Sequence, residues 1–526
     1  MDGAAQVATT GLSGFDLAII ITYMAGILAI GTYFGKYVKS ATDFFLAGRA
    51  LPFWAIGMSI VVSDIGATDF IFVGGAAYSY GISAANFDWM GSMPAMAIAA
   101  FVFMPYYWRS SVYTIPEFLG KRYNTAVQII HAGIWGVFMV VMLAVIFWTT
   151  AKFLNTTVGW PIPVSIAITV VVVGIYTLSG GLAAVVMTDV IQLIVMFVGG
   201  MALLVLSLWE VGGWESLKEQ IGVMSQTVDP KYADHFTIML PNDTTTPYPW
   251  AGIVFGLGLV MSTAYFSGHQ GIVQRCFGAR TEWDAKAGML FGGFLKSFIP
   301  FMVAVPGLAA VVIVPGLATG DDAVPQMINK LLPAGIRGLT FSALVAAFMS
   351  SADTYLSSAS TIWTTDLYGR FYKFRFGKEL NERHGLIVGR IFTIVFLIFA
   401  VLMAYPIGQT PSMYTFIQKA LSMFQGPVFA ILLLGIMWKR ATQWGGLAGL
   451  LLGVAFSTVL HNTQGLFTIS DPFLFVAMWS FVFTVGVTVI VSLCTPPEPE
   501  EKLRGLIFGQ VIKDGKIQRV LLDRVS

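Results

Sequence analysis

Charge is what this chain has least of. Asp, Glu, Lys and Arg supply 11% of its 526 residues, while AVILMFWYC residues supply 56%; soluble proteins carry about 25% charged residues. That balance excludes a water-soluble fold. Thirty Lys+Arg nearly cancel 28 Asp+Glu, so no global field draws a nucleic acid and none is expected as a partner. Cysteine is rarer still: Cys276 and Cys494 end two different apolar runs, which excludes a disulfide framework as the basis of the fold. The opening MDGAAQVATTGLSG has no basic stretch ahead of an apolar one, so the first apolar span is expected to be retained. Neither G-x-x-x-x-G-K-[ST] nor H-E-x-x-H occurs, and the histidines at 131, 235, 269, 384 and 461 are scattered. ATP-driven transport and metallohydrolysis therefore lose their usual marks, and an enzyme is not expected.

What is present suits a bilayer. Mean hydropathy is +0.76. Apolar stretches fall at 15–35, 53–79, 85–107, 126–150, 163–182, 185–209, 250–274, 287–317, 337–363, 386–405, 411–437, 442–461 and 473–494, each long enough to cross about 30 Å of hydrocarbon. They predict an all-α polytopic membrane protein of about thirteen transmembrane helices. Alternate connections carry sixteen Lys/Arg (Lys36, Lys39, Arg49; Arg109, Lys121, Arg122; Arg275, Arg280, Lys286; Arg370, Lys373, Arg375, Lys378, Arg383; Lys439, Arg440) against four (Lys152, Lys218, Lys231, Lys330). That bias places the N-terminus outside and the C-terminus in the cytoplasm of a cell membrane.

Taking 53–209 and 250–437 as five helices each makes the two groups upside down relative to one another. Residues 1–52 then form a peripheral helix and linker, 210–249 an outer loop, 438–494 two peripheral helices and 495–526 a cytoplasmic tail. Both groups open with Gly- and Ser-rich helices, WAIGMSIVVSDIGATDF and GIVFGLGLVMSTAYFSGHQG. Interrupted helices at matching places in inverted repeats point to a midplane site in a secondary transporter; small residues alone also serve close helix packing.

Ionisable groups at mid-depth cost at least about 2.5 kcal/mol each. Asp64, Asp69, Asp88, Asp189 and Asp353 outnumber the deep bases, chiefly Lys296, which favours a cation-coupled device; Asp16 reads as a boundary residue. In ALVAAFMSSADTYLSSAS, Ser350, Asp353, Thr354 and Ser357 share one helix face and offer hard oxygen ligands for an alkali cation. Interhelical hydrogen bonding is the alternative for such a stripe.

The runs FFLAGRALPFWAIGMSIVVSDIG (44–66), YTIPEFLGKRYN (113–124), YTLSGGLAAVVMTDVIQ (176–192), IVQRC (272–276) and MSSADTYLSSASTIWTTDLY (349–368) together resemble the sodium:solute symporter family, most closely its sodium/sugar branch. The resemblance implies a LeuT-type core of five plus five inverted helices with broken first helices. It implies a Na+ site from the carbonyls of Val62, Ile65 and Ala347 with the hydroxyls of Ser350 and Ser351. A second Na+ set would use Asp189, Asp353 and Thr354, with Asp189 as a structural partner the alternative. For the solute it implies Asp88, Lys296 and Gln418, with Tyr265 as an aromatic inner gate and Asp69 and Ser262 as further contacts. Lys296 paired with Asp88 or Asp69, and Tyr265 in ordinary core packing, are the structural alternatives. Asp69 stands where sugar-transporting relatives have Gln or His, Ser262 where Asn is common, and Phe87 where they have Tyr. These departures leave the solute open. The function implied is sodium-coupled symport of a small polar solute, with a sugar or polyol the first expectation. An amino acid, choline-like or carboxylate solute is the second, and a non-transporting sensor or channel is the alternative of another class.

Overall fold

The computed structural model describes residues 13–65, 67–409, 413–463, 466–467, 469, 472–508, 510–513 and 516–519. Helix α1 (Gly14–Phe34) starts at a capping box made by Ser13 and Asp16. Asp16 is fully buried and also accepts the amides of Gly335 (2.7 Å) and Gly338 (2.8 Å), so it ties two helix N-termini together, as its boundary position suggested.

The stretch 53–79 folds as two helices, α2 (Phe53–Asp64) and α3 (Ala67–Tyr80); Ile65 leaves the helix at φ −84°, ψ 78°. Such a break is tolerated at membrane depth only inside protein, and Val61, Val62 and Ile65 are fully buried. Residues 82–109 form short helical pieces around a π turn at Ala99–Phe103. Helix α4 (Thr125–Val158) follows. The spans expected at 163–182 and 185–209 run together as α5 (Ile162–Glu210), interrupted at Gly181 (φ 54°, ψ −151°). A Cβ at Gly181 would lie 2.4 Å from the Phe44 carbonyl, so only glycine allows this turn against the neighbouring backbone.

The second Gly/Ser-rich stretch is also broken. A π segment (Gly252–Ser262) leads into α6 (Thr263–Gly268), His269 is extended (φ −79°, ψ 113°), and α7 (Gln270–Phe277) resumes. Then come α8 (Glu282–Lys296), α9 (Ile299–Ile313), α10 (Ile336–Ile362), α11 (Glu382–Gly408), α12 (Met413–Met437), α13 (Gln443–Asn462) and α14 (Phe473–Cys494). Beyond the membrane part the tail departs from the all-helical expectation: β1 (Gln510–Lys513) and β2 (Lys516–Arg519) pair antiparallel.

Among the described residues ten helices are long and apolar enough to span. The expected thirteen differs because 53–79, 163–182 and 250–274 are cut into shorter apolar pieces. α5 packs along α10, and α2 along α8. The second contact is backbone to backbone: a Cβ on Gly57 would come 2.8 Å from the Gly288 carbonyl. That closeness sets the end of α2 against the end of α8. Ile387, Ile391, Ile398 and Leu402 of α11 point outward, a lipid-facing stripe.

Candidate functional site

The two broken helices, α4, α8, α10 and α12 enclose a cavity. Asp64, Asp88, Ser262, Tyr265, Lys296, Ser351 and Gln418 line it, with Phe72, Phe87, Phe266 and Tyr355 as aromatic walls. Five of the six solute-contact residues read from sequence are thus brought together; the side chain of the sixth, Asp69, lies outside the described residues. Lys296, on the last turn of α8, is 5% exposed and paired with two carboxylates, Asp64 and Asp88, the latter at 3.0 Å. The pairing with Asp88 named as a structural alternative is therefore present, and it sits in the cavity wall. Asp88 spends one oxygen on Lys296; its Oδ2 is buried without a partner among the described residues. Trp89 anchors this wall through its indole N–H to the Ser297 carbonyl at 3.3 Å.

A second polar cluster lies behind the break in α2. A helix ending at Asp64 leaves carbonyls of its last turn without amide donors. The Ser63 carbonyl accepts the hydroxyl of Ser351 at 3.3 Å. Ser350 donates to Asp189 Oδ1 at 2.6 Å and lies 3.0 Å from the Ser63 hydroxyl. Val62, Ile65 and Ala347 are fully buried beside them. The expected sodium residues therefore share one neighbourhood, where carbonyls and hydroxyls offer the hard oxygens an alkali cation takes. Among the described residues there is no cluster of three or more His, Cys, Asp or Glu of the sort a divalent metal uses.

Two of the three residues expected for a second sodium, Asp189 and Thr354, are arranged around a side chain. Arg275, 1% exposed, pairs with Asp189 Oδ2 at 3.2 Å and donates to Thr354 at 2.8 Å, to Ser59 and Ser63, and to the Gly271 carbonyl. Ser59 and Ser63 also donate to Asp189. Asp353 accepts from Thr177 of α5 at 2.7 Å.

Sequence reasoning missed three things here. Arg275 counts among the loop charges in sequence because it follows the end of its apolar stretch at 274; α7, resuming after His269, keeps it buried. Arg122, counted likewise, is fully buried on the carbonyls of Gly435, Trp438 and Ala441. Asp64 reads in sequence as a mid-depth carboxylate without its partner, since nothing local in α2 announces a lysine 232 positions away.

The model of the sodium:solute symporter family matches residues 44–453. The chain is 32% identical to the sodium/glucose cotransporter of Vibrio parahaemolyticus, over 92% of this chain and 91% of that one. It is 32% identical to the human sodium/myo-inositol cotransporter, over 94% and 75%. Its fold is that of a Na+-coupled sialic acid symporter solved substrate-bound and outward-open, with TM-score 0.79, 23% identity, and 92% and 99% of the chains covered. A nucleobase-cation-symport-1 transporter, Mhp1, follows at TM-score 0.56 and 13% identity over 88% and 97%. The fold is the LeuT-type broken-helix core, and this multi-pass membrane protein belongs to the sodium:solute symporter family, transporters and not enzymes, with Na+ as the coupling ion.

Proposed function

We propose that the protein imports a small neutral polyhydroxy solute, a sugar or polyol, across the cell membrane with its N-terminus outside. The observation that carries this reading is the charge balance of the cavity. Among the described residues that line it, Asp64 and Asp88 share the ammonium of Lys296, leaving a formal charge of −1 beside side chains that are otherwise uncharged. One sodium ion at the break in α2 brings that sum to zero. A neutral solute then enters without leaving a charge uncompensated, whereas a carboxylate would have to compete with two aspartates for Lys296. The unpartnered Asp88 Oδ2 accepts a solute hydroxyl, Gln418 offers amide donor and acceptor, and the ring of Tyr265 suits the C–H face of a pyranose or cyclitol. Relatives named for glucose and myo-inositol agree with this choice.

In this scheme sodium is held by the carbonyls of Val62, Ile65 and Ala347 and the hydroxyls of Ser350 and Ser351. It draws the end of α2 onto α10, and Ser63 and Ser351, which line both ion neighbourhood and solute cavity, carry that ordering to the solute. Release of sodium into the cytoplasm loosens the same wall. One sodium moving down 100 mV contributes about 2.3 kcal/mol and a tenfold concentration ratio about 1.4 kcal/mol; together they support an uphill solute ratio of several hundred. In place of a second sodium, Arg275 supplies the cation for Asp189, so one ion accompanies each solute. The test is uptake by proteoliposomes across a panel of sugars, polyols, amino acids, choline and carboxylates. Sodium-driven accumulation of a neutral polyhydroxy solute is expected; accumulation of only charged solutes, or uptake indifferent to sodium, rules the reading out.

A further inference from the structure

On the far side of Tyr265 from the cavity lies a second group of polar side chains, used by nothing above. Tyr265 stacks on His269, the residue at the break between α6 and α7, with ring centroids 4.6 Å apart and 30° between planes. The edge of His269 meets Trp135 at 5.1 Å and Tyr355 at 5.4 Å, and His131 lies 6.3 Å from Trp135. His131, Trp135 and His269 are each no more than 1% exposed. Five of their ring nitrogens, both on each histidine and the indole N–H, are buried without a hydrogen-bond partner among the described residues.

Their order along α4 gives the group a direction. Met142 and Ile146 line the solute cavity; Trp135 is two turns nearer the Asn124 end and His131 another turn, about 10 Å and about 16 Å along the helix. The charge distribution assigns the Asn124 end to the cytoplasm. Phe138 and Phe424 pack on Trp135, at 5.5 Å and 4.9 Å, and complete an apolar jacket around the unpaired nitrogens. Buried hydrogen-bonding groups are costly to leave unmet, and a cluster of them between a solute site and the cytoplasm calls for a state in which they are met.

We propose that His131, Trp135 and His269 form an inner subsite that binds the hydroxyl groups of the solute after Tyr265 swings aside, a step on the way to the cytoplasm. This rests on the polyhydroxy reading above. A neutral imidazole carries one donor and one acceptor, and the indole adds a donor, a set matched to neighbouring hydroxyls. Nothing in the group is a carboxylate or ammonium, so it holds the solute less firmly than the Asp64–Lys296–Asp88 wall and passes it on.

Two measurements test it. Trp135→Cys, in a Cys494→Ser background, is exposed to a membrane-impermeant methanethiosulfonate in inside-out vesicles, with and without myo-inositol and D-glucose. Labelling from the cytoplasmic side, slowed by one of the two solutes, is expected; His131→Cys serves if the first variant does not fold. Inert cysteines, when Cys494 of the parent chain, which is exposed, reacts fully in parallel vesicles, would overturn the proposal, as would labelling that neither solute slows. In proteoliposomes, Trp135→Phe with His269→Phe is expected to raise the half-saturating solute concentration for efflux about tenfold, the equivalent of one hydrogen bond, and that for uptake by less, while His269→Gln restores part of it. Equal shifts on both sides would overturn it. The labelling arm needs no transport, so a failed uptake panel and a failed subsite are told apart.

Discussion

Two buried ion clusters flank the break in α2, and they are built in opposite ways. Around Asp189 there is one carboxylate, one guanidinium and a ring of hydroxyls from Ser59, Ser63, Ser350 and Thr354, and both carboxylate oxygens are bonded. Around Lys296 there are two carboxylates for one ammonium, an oxygen left over on Asp88, and a cavity in front. The first is balanced and braces α2, α5, α7 and α10. Among the described residues the second is unbalanced by one charge and by one hydrogen bond, and a site that is incomplete alone is one that a ligand completes.

The contrast can be broken from either side. Arg275→Leu should do the most damage to the fold, because it strands a buried carboxylate; breaking such a pair costs about 3–5 kcal/mol. Thermal unfolding in detergent should show the loss, with Asp189→Asn added to Arg275→Leu recovering much of it; a single variant as stable as the parent would mean the brace is not one. Lys296→Ala should fold yet transport poorly, with uptake kcat/KM down roughly 100-fold as two carboxylates face each other and the solute loses an ammonium donor. Asp88→Asn is the mildest. It removes the surplus charge while keeping an acceptor, and the solute KM should rise about tenfold; a KM below the parent's would show that Asp88 repels the solute rather than holding it.

Much of the candidate solute site was legible because the evidence for it is local. The Gly/Ser content of 53–79 and 250–274 marks helices unable to hold a straight course, and both break, at Ile65 and His269. Mid-depth Asp88 and Lys296 are too costly in hydrocarbon to be idle, and both line the cavity. The pairings were not legible, since they depend on how separate spans rotate and dip. Asp64 meets Lys296 only because Gly57 and Gly288 let two backbones touch. Arg275 looks like a loop residue because hydropathy registers the end of an apolar run and says nothing of a short helix that continues, buried, beyond a break. Thr354 and Asp353 look alike on one face, yet they reach different neighbours, Arg275 on α7 and Thr177 on α5.

The sodium curve of Ser351→Ala is the most direct measurement, because the Ser351 hydroxyl meets the Ser63 carbonyl at the helix break and also lines the candidate solute cavity. Initial uptake should be followed against external sodium at saturating solute, parent and variant side by side. Loss of one oxygen ligand should move the half-saturating sodium concentration up about tenfold or more, with one ion per solute retained. A variant that follows the parent's sodium curve would place the ion elsewhere and undo the coupling between the broken helix and α10.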